Sequence, residues 1–302
     1  MITTKHFFLA AGLALLASPA LADTPIDQTR PLASGAQLDV SNVKGAVIVR
    51  GWDKHEVHVT GSLGANTPEL EITGDAKHLS IKIKNQGHNG WLNWGSDSNM
   101  GPTRLELSVP RDVNLDVNVV SARAHVDGLA GGNLDFDTVS GNLEIHADSP
   151  ALKLNSVSGD VRVEGHSDKL DVNTVSGDVH VQRVGHDATA QTVSGNVTLT
   201  AQSLRKLVVD TVSGDIDIQA GLTTDATARM HSMSGDIRLT LDGRPDAELA
   251  AKSMSGDIHS AFGKVDSSGY GPGTRLSHTL GAGSGHIRLE SLSGDIDIRQ
   301  GH

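Results

Sequence analysis

The chain has 302 residues, no cysteine and a formal net charge of -11 at pH 7. The lack of cysteine excludes disulfides and thiolate metal sites. Lysine and arginine are scattered and form no basic stripe, so the sequence lacks the electrostatic footprint of a nucleic-acid-binding protein. We therefore expect no nucleic-acid partner.

The first 22 residues are typical of a secretory signal peptide. Lys5 supplies the positive charge, an apolar stretch runs from Phe7 to Ala17, and Ala20-Leu-Ala22 fits a cleavage site. This apolar stretch is shorter than the roughly 18 residues that a transmembrane helix needs. We expect the mature chain to begin at Asp23, to contain no membrane span and to be exported to the periplasm or the cell exterior.

Residues 23–110 alternate apolar and polar side chains in several short runs. The run from Leu38 to Val49 is the clearest, and Gly-Asp turn signals separate later runs. Alternation with period two predicts half-buried strands joined by tight turns. We interpret this part of the chain as a β region that caps the repeats described next.

Within the β region, residues 85–103 are rich in glycine, asparagine and serine and predict a long loop. Trp91 and Trp94 lie in this loop, although aromatic residues make up only 3% of the chain. Two indoles three residues apart are candidates for contact with a glycan or a protein. The alternative is that they fold back over the open end of the β core as a lid.

From residue 111 to 302 one short phrase recurs. Its clearest copy runs from Leu152 to Val163 with the sequence LKLNSVSGDVRV. The repeats follow one another at steps of 18, 18, 18, 19, 21, 21 and 38 residues, with Ser-Gly-Asp or Ser-Gly-Asn starting at Ser140, Ser158, Ser176, Ser194, Ser213, Ser234, Ser255 and Ser293. Self-similarity at a period near 20 residues is the signature of stacked repeats.

Each copy places one apolar pair before a sharp corner and one after it. Glycine suits the corner because a reversal often needs positive φ, and the neighbouring Asp or Asn oxygen can accept nearby backbone N–H groups. A single copy buries too few aliphatic side chains to offset its conformational entropy, so the copies must share a core. We predict structural corner roles for Ser158, Gly159, Asp160, Ser176, Gly177, Asp178, Ser213, Gly214 and Asp215.

These patterns predict an all-β fold, a β-solenoid of about ten stacked repeats of 18–21 residues with an N-terminal β cap. The alternative is an antiparallel meander or sandwich in which each Ser-Gly forms a hairpin tip. Near-constant repeat length and an identical corner favour the solenoid. The predicted division is a signal peptide at 1–22, an N-terminal β region at 23–110 and a solenoid at 111–302.

No catalytic constellation is evident. A serine that recurs eight times in one setting indicates structure, and neither a Gly-x-Ser-x-Gly elbow nor a phosphate-binding Gly-Lys-Ser/Thr loop occurs. We predict a non-enzymatic protein without catalytic residues or cofactor. A polysaccharide-active β-helix enzyme is the less favoured alternative, because matching carboxylates outside the corners are not evident.

Two metal hypotheses can be weighed from the sequence. Stacking would align the corner aspartates about 4.8 Å apart, where a cation could relieve their repulsion. Alternatively, each carboxylate accepts turn N–H groups and is solvated. The fifteen histidines, among them His55, His58 and His286, show no paired ligand spacing. We predict no metal site.

The signal peptide, the opening Val40–Val49 segment VSNVKGAVIV, the Val-Ser-Gly-Asp-Val units and the closing Leu292-Ser-Gly-Asp-Ile296 together resemble the bacterial β-strand-repeat family of unknown function whose members are named as candidate adhesins. The resemblance covers nearly all of the mature chain. It implies export to the cell envelope and an adhesin-like interaction with a protein or glycan there, and it supplies no catalytic residues. The alternative is a periplasmic accessory factor for envelope-stress or transport machinery.

Overall fold

The computed structural model describes residues 24–83, 100–266 and 273–301. The predicted signal peptide at 1–22 and the tryptophans Trp91 and Trp94 lie outside these residues. Within them, no helix is long and apolar enough to cross a membrane.

The described residues form 21 strands. In chain order these are β1 (Thr24–Pro31), β2 (Gln37–Trp52), β3 (Glu56–Leu63), β4 (Leu70–Gly74), β5 (His78–Ile83), β6 (Thr103–Pro110), β7 (Asn114–Ala130), β8 (Leu134–Ser140), β9 (Leu143–Ser158), β10 (Val161–Glu164), β11 (Ser167–Ser176), β12 (Val179–Val184), β13 (Asp187–Ser194), β14 (Val197–Ser213), β15 (Ile216–Ser234), β16 (Ile237–Asp242), β17 (Ala247–Ser255), β18 (Ile258–Ser260), β19 (Thr274–Leu280), β20 (Gly285–Ser293) and β21 (Ile296–Gln300).

Equivalent positions of successive repeats pair in parallel and in register. Before the corner, Leu170 pairs with Leu152 on one side and with Ala188 on the other, and we name this series of strands the entry ladder. After the corner, Val179 pairs with Val161 and with Val197, and this series is the exit ladder. Each repeat is therefore one layer of a stack, which confirms an all-β, solenoid-like fold. The antiparallel meander does not describe these repeats.

The apolar pairs predicted from the sequence form the interior of the stack. Leu152, Leu154, Val161 and Val163 each expose 1% or less of their surface, and they belong to one continuous hydrophobic cluster. Alternate residues of the same strands point outward. Because each layer supplies two apolar side chains before the corner and, except in the layer of Ile258 and Ser260, two after it, the layers share one core, as repeats that cannot fold singly require.

The N-terminal strands join the same stack. Strand β2 pairs in parallel with β7 on one side and with β5 and β6 on the other, so the opening copy is an internal layer. Strand β4 pairs antiparallel with β5, and β3 pairs antiparallel with β6. Strand β1 pairs antiparallel with β3. Strands β2 and β7 hydrogen-bond directly across the predicted boundary at residue 110. The division into regions 23–110 and 111–302 stays a prediction.

The last two repeats are stacked out of chain order. Strand β20 pairs with β15 on one side and with β17 on the other, and β21 likewise lies between β16 and β18. The chain thus builds the outermost layer first and then returns to fill the gap, which accounts for the 38-residue step. Strand β17 lies outermost on the entry ladder and is covered by antiparallel β19.

The corner glycines pack against one another from layer to layer. Gly159 and Gly177 have φ angles of +133° and +134°. A Cβ atom added to Gly177 would lie 2.2 Å from the carbonyl oxygen of Gly159, and one added to Gly195 would lie 2.1 Å from that of Gly177. Positive φ was the expected reason for glycine here. The close approach of the neighbouring carbonyl is a second reason.

We expect Gly177→Ala to lower the free energy of unfolding by about 3–5 kcal/mol, because backbone strain and the collision with Gly159 add together. Gly243→Ala is the matched control, since Gly243 has φ +75° but no atom within 4 Å of an added Cβ. It should cost only about 1–2 kcal/mol. Urea unfolding followed by far-UV circular dichroism measures both values, and equal losses would contradict the packing argument.

Asp246 anchors the turn that leads into the returning repeat. Its Oδ1 accepts hydrogen bonds from the backbone N–H groups of Ala282, Gly283 and Ser284 at 2.9, 2.7 and 3.1 Å. The Ser284 N–H contributes most to holding the pKa of Asp246 below its ordinary value, and the Gly283 and Ala282 N–H groups add to it. The charged form is therefore the one that the folded turn favours.

A pH-dependent loss of stability follows from this anchor. Since the folded pKa of Asp246 lies below the unfolded pKa, its stabilising contribution is complete above about pH 4 and is lost as pH falls through the folded pKa. Asp246→Asn, which keeps an acceptor but removes the charge, should melt below wild type at pH 7. The difference in melting temperature should shrink below pH 4, and a difference that stays constant down to pH 3 would contradict this account.

Candidate functional site

Large hydrophobic side chains are exposed along one edge of the stack. Among the described residues, every exposed large hydrophobic side chain occupies the same position, directly before the corner serine, with 36–49% of its surface accessible. We name this column the aliphatic edge. It consists, in stacking order, of Val139, Val157, Val175, Val193, Val212, Met233, Leu292 and Met254.

The register of the entry ladder makes the aliphatic edge continuous. The serine that follows each member pairs with its equivalent in the next layer, as Ser158 does with Ser176 and Ser176 with Ser194. The same pairing carries the column through the reordered end, where Ser293 pairs with both Ser234 and Ser255. Eight layers separated by about 4.8 Å give a column roughly 34 Å long.

Inside the stack, the position before each member of the aliphatic edge carries a small hydroxyl residue. Thr138, Ser156, Thr174, Thr192, Thr211 and Ser232 are buried, and their hydroxyl oxygens find no hydrogen-bond partner among the described residues. At the reordered end, Ser253 Oγ donates to the carbonyl oxygen of Gly294 at 2.8 Å. The inner position beneath each of these corners thus holds a small, buried hydroxyl side chain.

The usual polarity of a strand is therefore reversed at the corner. A hydroxyl lies inside and valine, methionine or leucine lies outside in each of these layers. Burying an unpartnered hydroxyl costs free energy, and leaving a valine in water forgoes the free energy that its burial would supply. Burial of apolar surface therefore does not account for an aliphatic residue at the outer position.

A ladder of carboxylates runs beside the aliphatic edge. Asp160 Oδ1 accepts the backbone N–H of Asp178 at 3.1 Å, and Asp178 Oδ1 accepts that of Asn196 at 2.8 Å. Asn196 Oδ1 accepts the N–H of Asp215 in the same way. The ladder consists of Asn142, Asp160, Asp178, Asn196, Asp215, Asp236, Asp295 and Asp257.

The carboxylate ladder is exposed and remains uncompensated by neighbouring cations. None of its six aspartates forms an ion pair with a lysine, arginine or histidine in the described ranges. One oxygen of each aspartate in the first seven places accepts an N–H group, as the hydrogen-bonding alternative expected. The donor belongs to the next layer rather than to the same turn, so the ladder both joins layers and presents negative charge.

The sequence singled out the corner triplets, and the structure aligns them into columns. Their roles as turn residues stay a prediction, while Trp91 and Trp94 lie outside the described residues. The aliphatic edge was not predicted from the sequence. The available signal was an apolar residue such as Val157, Val175 or Met233, one position out of phase with the buried pairs and recurring before each corner.

The histidines named from the sequence do not form a cluster. His58 Nε2 lies 2.8 Å from Asp27 Oδ1, and His286 Nδ1 lies 3.5 Å from Glu248 Oε2. Potential metal ligands converge elsewhere, at His125, Glu144 and His146. The sequence did not indicate this group, because its members lie in two layers and approach one another only after stacking.

Comparison with curated protein sequences gives no match. Similar solved structures include a candidate adhesin from Bacteroides fragilis NCTC 9343, with 13% identity, coverage of 92% of this chain and 98% of that chain, and a TM-score of 0.43. A candidate lipid-binding protein from Parabacteroides distasonis ATCC 8503 has 14% identity, 92% and 97% coverage, and a TM-score of 0.40.

A candidate cell adhesion protein from Clostridium sporogenes ATCC 15579 has 13% identity, 92% and 100% coverage, and a TM-score of 0.24. The family model described as Toastrack DUF4097 matches residues 37–299, which include nearly all the described strands. This match confirms the resemblance that the repeated Val-Ser-Gly-Asp units indicated. The chain belongs to the Toastrack DUF4097 family, whose function is unknown.

Proposed function

We propose that the protein is an exported, non-enzymatic scaffold that binds a protein partner at the cell envelope through the aliphatic edge and the carboxylate ladder. The observation that carries this proposal is the confinement of all exposed large hydrophobic side chains, within the described part of the chain, to one column. Contiguous apolar surface of this kind marks interaction sites in proteins that are otherwise polar outside. Export rests on the signal-peptide pattern and the family resemblance.

The scaffold suits binding because it holds the contact residues at fixed spacing. Val157 and Val175 are attached to strands paired along their length, and their backbone is fixed further by the Asp160 to Asp178 hydrogen bond. A preformed surface loses little conformational entropy on association. A stack of about ten repeats, as the sequence predicts, would present such a surface over most of its length.

The chemistry of the edge indicates the chemistry of its partner. Aliphatic side chains beside six carboxylates complement a protein segment that combines apolar residues with lysine or arginine. A second copy of this chain is a poorer fit, because its net charge is -11 and its own edge is acidic. A glycan is also a poorer fit, because the edge has no aromatic residue on which a sugar ring could stack.

The accessory-factor alternative would use the same edge with a different partner in the envelope. A polysaccharide-active enzyme is less well supported, since the edge carboxylates occupy nearly identical settings. Acid–base catalysis on glycans needs two carboxylates with different environments and roles. The adhesin-like and accessory readings therefore share one test, which is binding through the edge.

We expect Val157→Thr, Val175→Thr and Val193→Thr together to abolish binding of the purified partner while leaving the melting temperature near that of wild type. Threonine keeps the β-branched shape but removes apolar surface. A photo-cross-linking residue at position 175 would capture the partner from the envelope fraction of the source cells. The partner is then identified by mass spectrometry and purified, and its binding is measured by calorimetry. The cross-linked segment should contain apolar and basic residues.

The matched control changes three outward-facing residues of the exit ladder, with His180→Thr, Thr198→Ser and Thr200→Ser. This control should bind like wild type. Equal binding by the edge variant and wild type would overturn the proposal. So would self-association of the purified protein that the edge substitutions abolish, because the occupant would then be a second copy.

A charge variant tests the carboxylate ladder separately. Asp160→Asn with Asp178→Asn keeps the hydrogen-bond acceptors, as Asn142 and Asn196 do naturally. We expect unchanged stability, weaker binding of the purified partner and a smaller effect of salt on the affinity. Asp148→Asn with Asp225→Asn removes two exposed charges elsewhere and is the control. Identical salt dependence in both variants would contradict a role for the ladder.

A further inference from the structure

Two histidines and a glutamate meet on the outer face of the exit ladder, where β7, β9 and β10 stack. His125 pairs in register with Glu144, and His146 of the same strand as Glu144 pairs with Glu164 of the next layer. The intervening residues Val126 and Ile145 point into the core. Alternation therefore directs all four polar side chains outward, on a surface distinct from the aliphatic edge.

Glu144 lies between the two imidazole rings. His125 Nδ1 is 3.2 Å from Glu144 Oε2, and His146 Nε2 is 3.9 Å from Glu144 Oε1. The ring centroids are 5.6 Å apart at an interplanar angle of 71°. One ligand atom from each of the three residues can be chosen so that all lie within 4.8 Å of one another.

These distances are close to those of a tetrahedral metal centre. Zinc binds histidine nitrogen and carboxylate oxygen at about 2.0–2.2 Å, so ligand atoms on a tetrahedron lie roughly 3.3–3.6 Å apart. Small side-chain rotations would bring His125, Glu144 and His146 to this spacing. The strands that carry them are paired in parallel on both sides, which fixes the Cα positions in advance.

Glu164 completes the surroundings of His146. Its Oε2 lies 3.5 Å from His146 Nε2, and its Oε1 accepts hydrogen bonds from Arg162 at 2.6 and 2.9 Å. A carboxylate that Arg162 fixes in this way can serve as a fourth ligand or orient a bound water.

A second group of similar composition provides a comparison. His166 Nε2 and His186 Nδ1 lie 3.1 and 3.2 Å from the same oxygen, Asp168 Oδ1. Their side chains are 57–58% exposed, against 36% and 31% for His125 and His146. Both of these histidines pair with the same carboxylate oxygen, which is the arrangement of two separate ion pairs. At Glu144 the imidazoles instead approach different oxygens of a less exposed group.

We propose that His125, Glu144 and His146 bind a divalent transition-metal ion of the zinc type, with Glu164 or water in the fourth position. Two imidazoles and a carboxylate suit zinc, whereas calcium and magnesium prefer sites made of oxygen ligands alone. The ion joins two neighbouring layers near the N-terminal end of the stack. Its binding therefore raises the free energy of unfolding, by an amount that grows as the ion concentration exceeds the dissociation constant.

The test titrates tag-free, chelator-treated protein with Zn²⁺ by calorimetry and with Co²⁺ by visible absorption. We expect one equivalent of zinc per chain, a rise in melting temperature and cobalt absorption bands typical of tetrahedral coordination. His125→Ala and His146→Ala should each weaken zinc binding at least tenfold and remove those bands. Both variants should melt like wild type in chelator, because the side chains lie at the surface.

Further variants separate this site from general binding by surface histidines. His166→Ala with His186→Ala should leave the zinc affinity and stoichiometry unchanged. Glu144→Gln should weaken binding, and Glu164→Gln should alter the cobalt spectrum if Glu164 is the fourth ligand. The proposal is overturned if no one-equivalent binding is found, if His125→Ala and His146→Ala bind like wild type, or if Ca²⁺ or Mg²⁺ binds as tightly as Zn²⁺.

Discussion

The close contact between the corners of successive layers is the constraint on which the rest of the structure depends. At each corner the glycine approaches the carbonyl oxygen of the layer before it so nearly that no Cβ fits, as at Gly177 above Gly159. Beside it, an Asp160-type oxygen accepts the N–H of the next layer. These two contacts fix the stacking register, and a fixed register aligns every other position of the repeat into a column.

The edge has an unusual polarity. A serine or threonine such as Ser156 or Thr174 occupies the buried inner position, and its hydroxyl finds no hydrogen-bond partner within the described ranges. The outer position faces solvent. The position nevertheless holds valine, methionine or leucine in every layer of the edge. Under the proposed function, contact with a partner accounts for that choice.

Much of the fold was predictable because it depends on local, repeated chemistry. Alternating pairs such as Leu152 and Leu154, a glycine corner and a constant period together indicate stacked strands. The reordering of β20 and β17 was not predictable, because either copy fits either layer and the choice depends on the connecting segment. The aliphatic edge was within reach, since Val157 breaks the phase of the buried pairs. The histidine and glutamate group was not, because its members meet only across layers.

A repeat architecture therefore presents side chains in two kinds of arrangement. A type of side chain that recurs in most copies becomes a continuous column, and the aliphatic edge and the carboxylate ladder are both of this kind. A combination of residues that occurs at one place becomes a local group within a regular lattice, as His125, Glu144 and His146 do. Later layers hold Glu144, Arg162, His180 and Thr198 in the column of His125, and Glu164, Gln182 and Thr200 in the column of His146. The columns suit extended partners, since their contacts add along the stack. The local site suits a small ligand, because the paired strands hold its few side chains at fixed spacings. Separate loops would first have to become ordered to reach the same spacings.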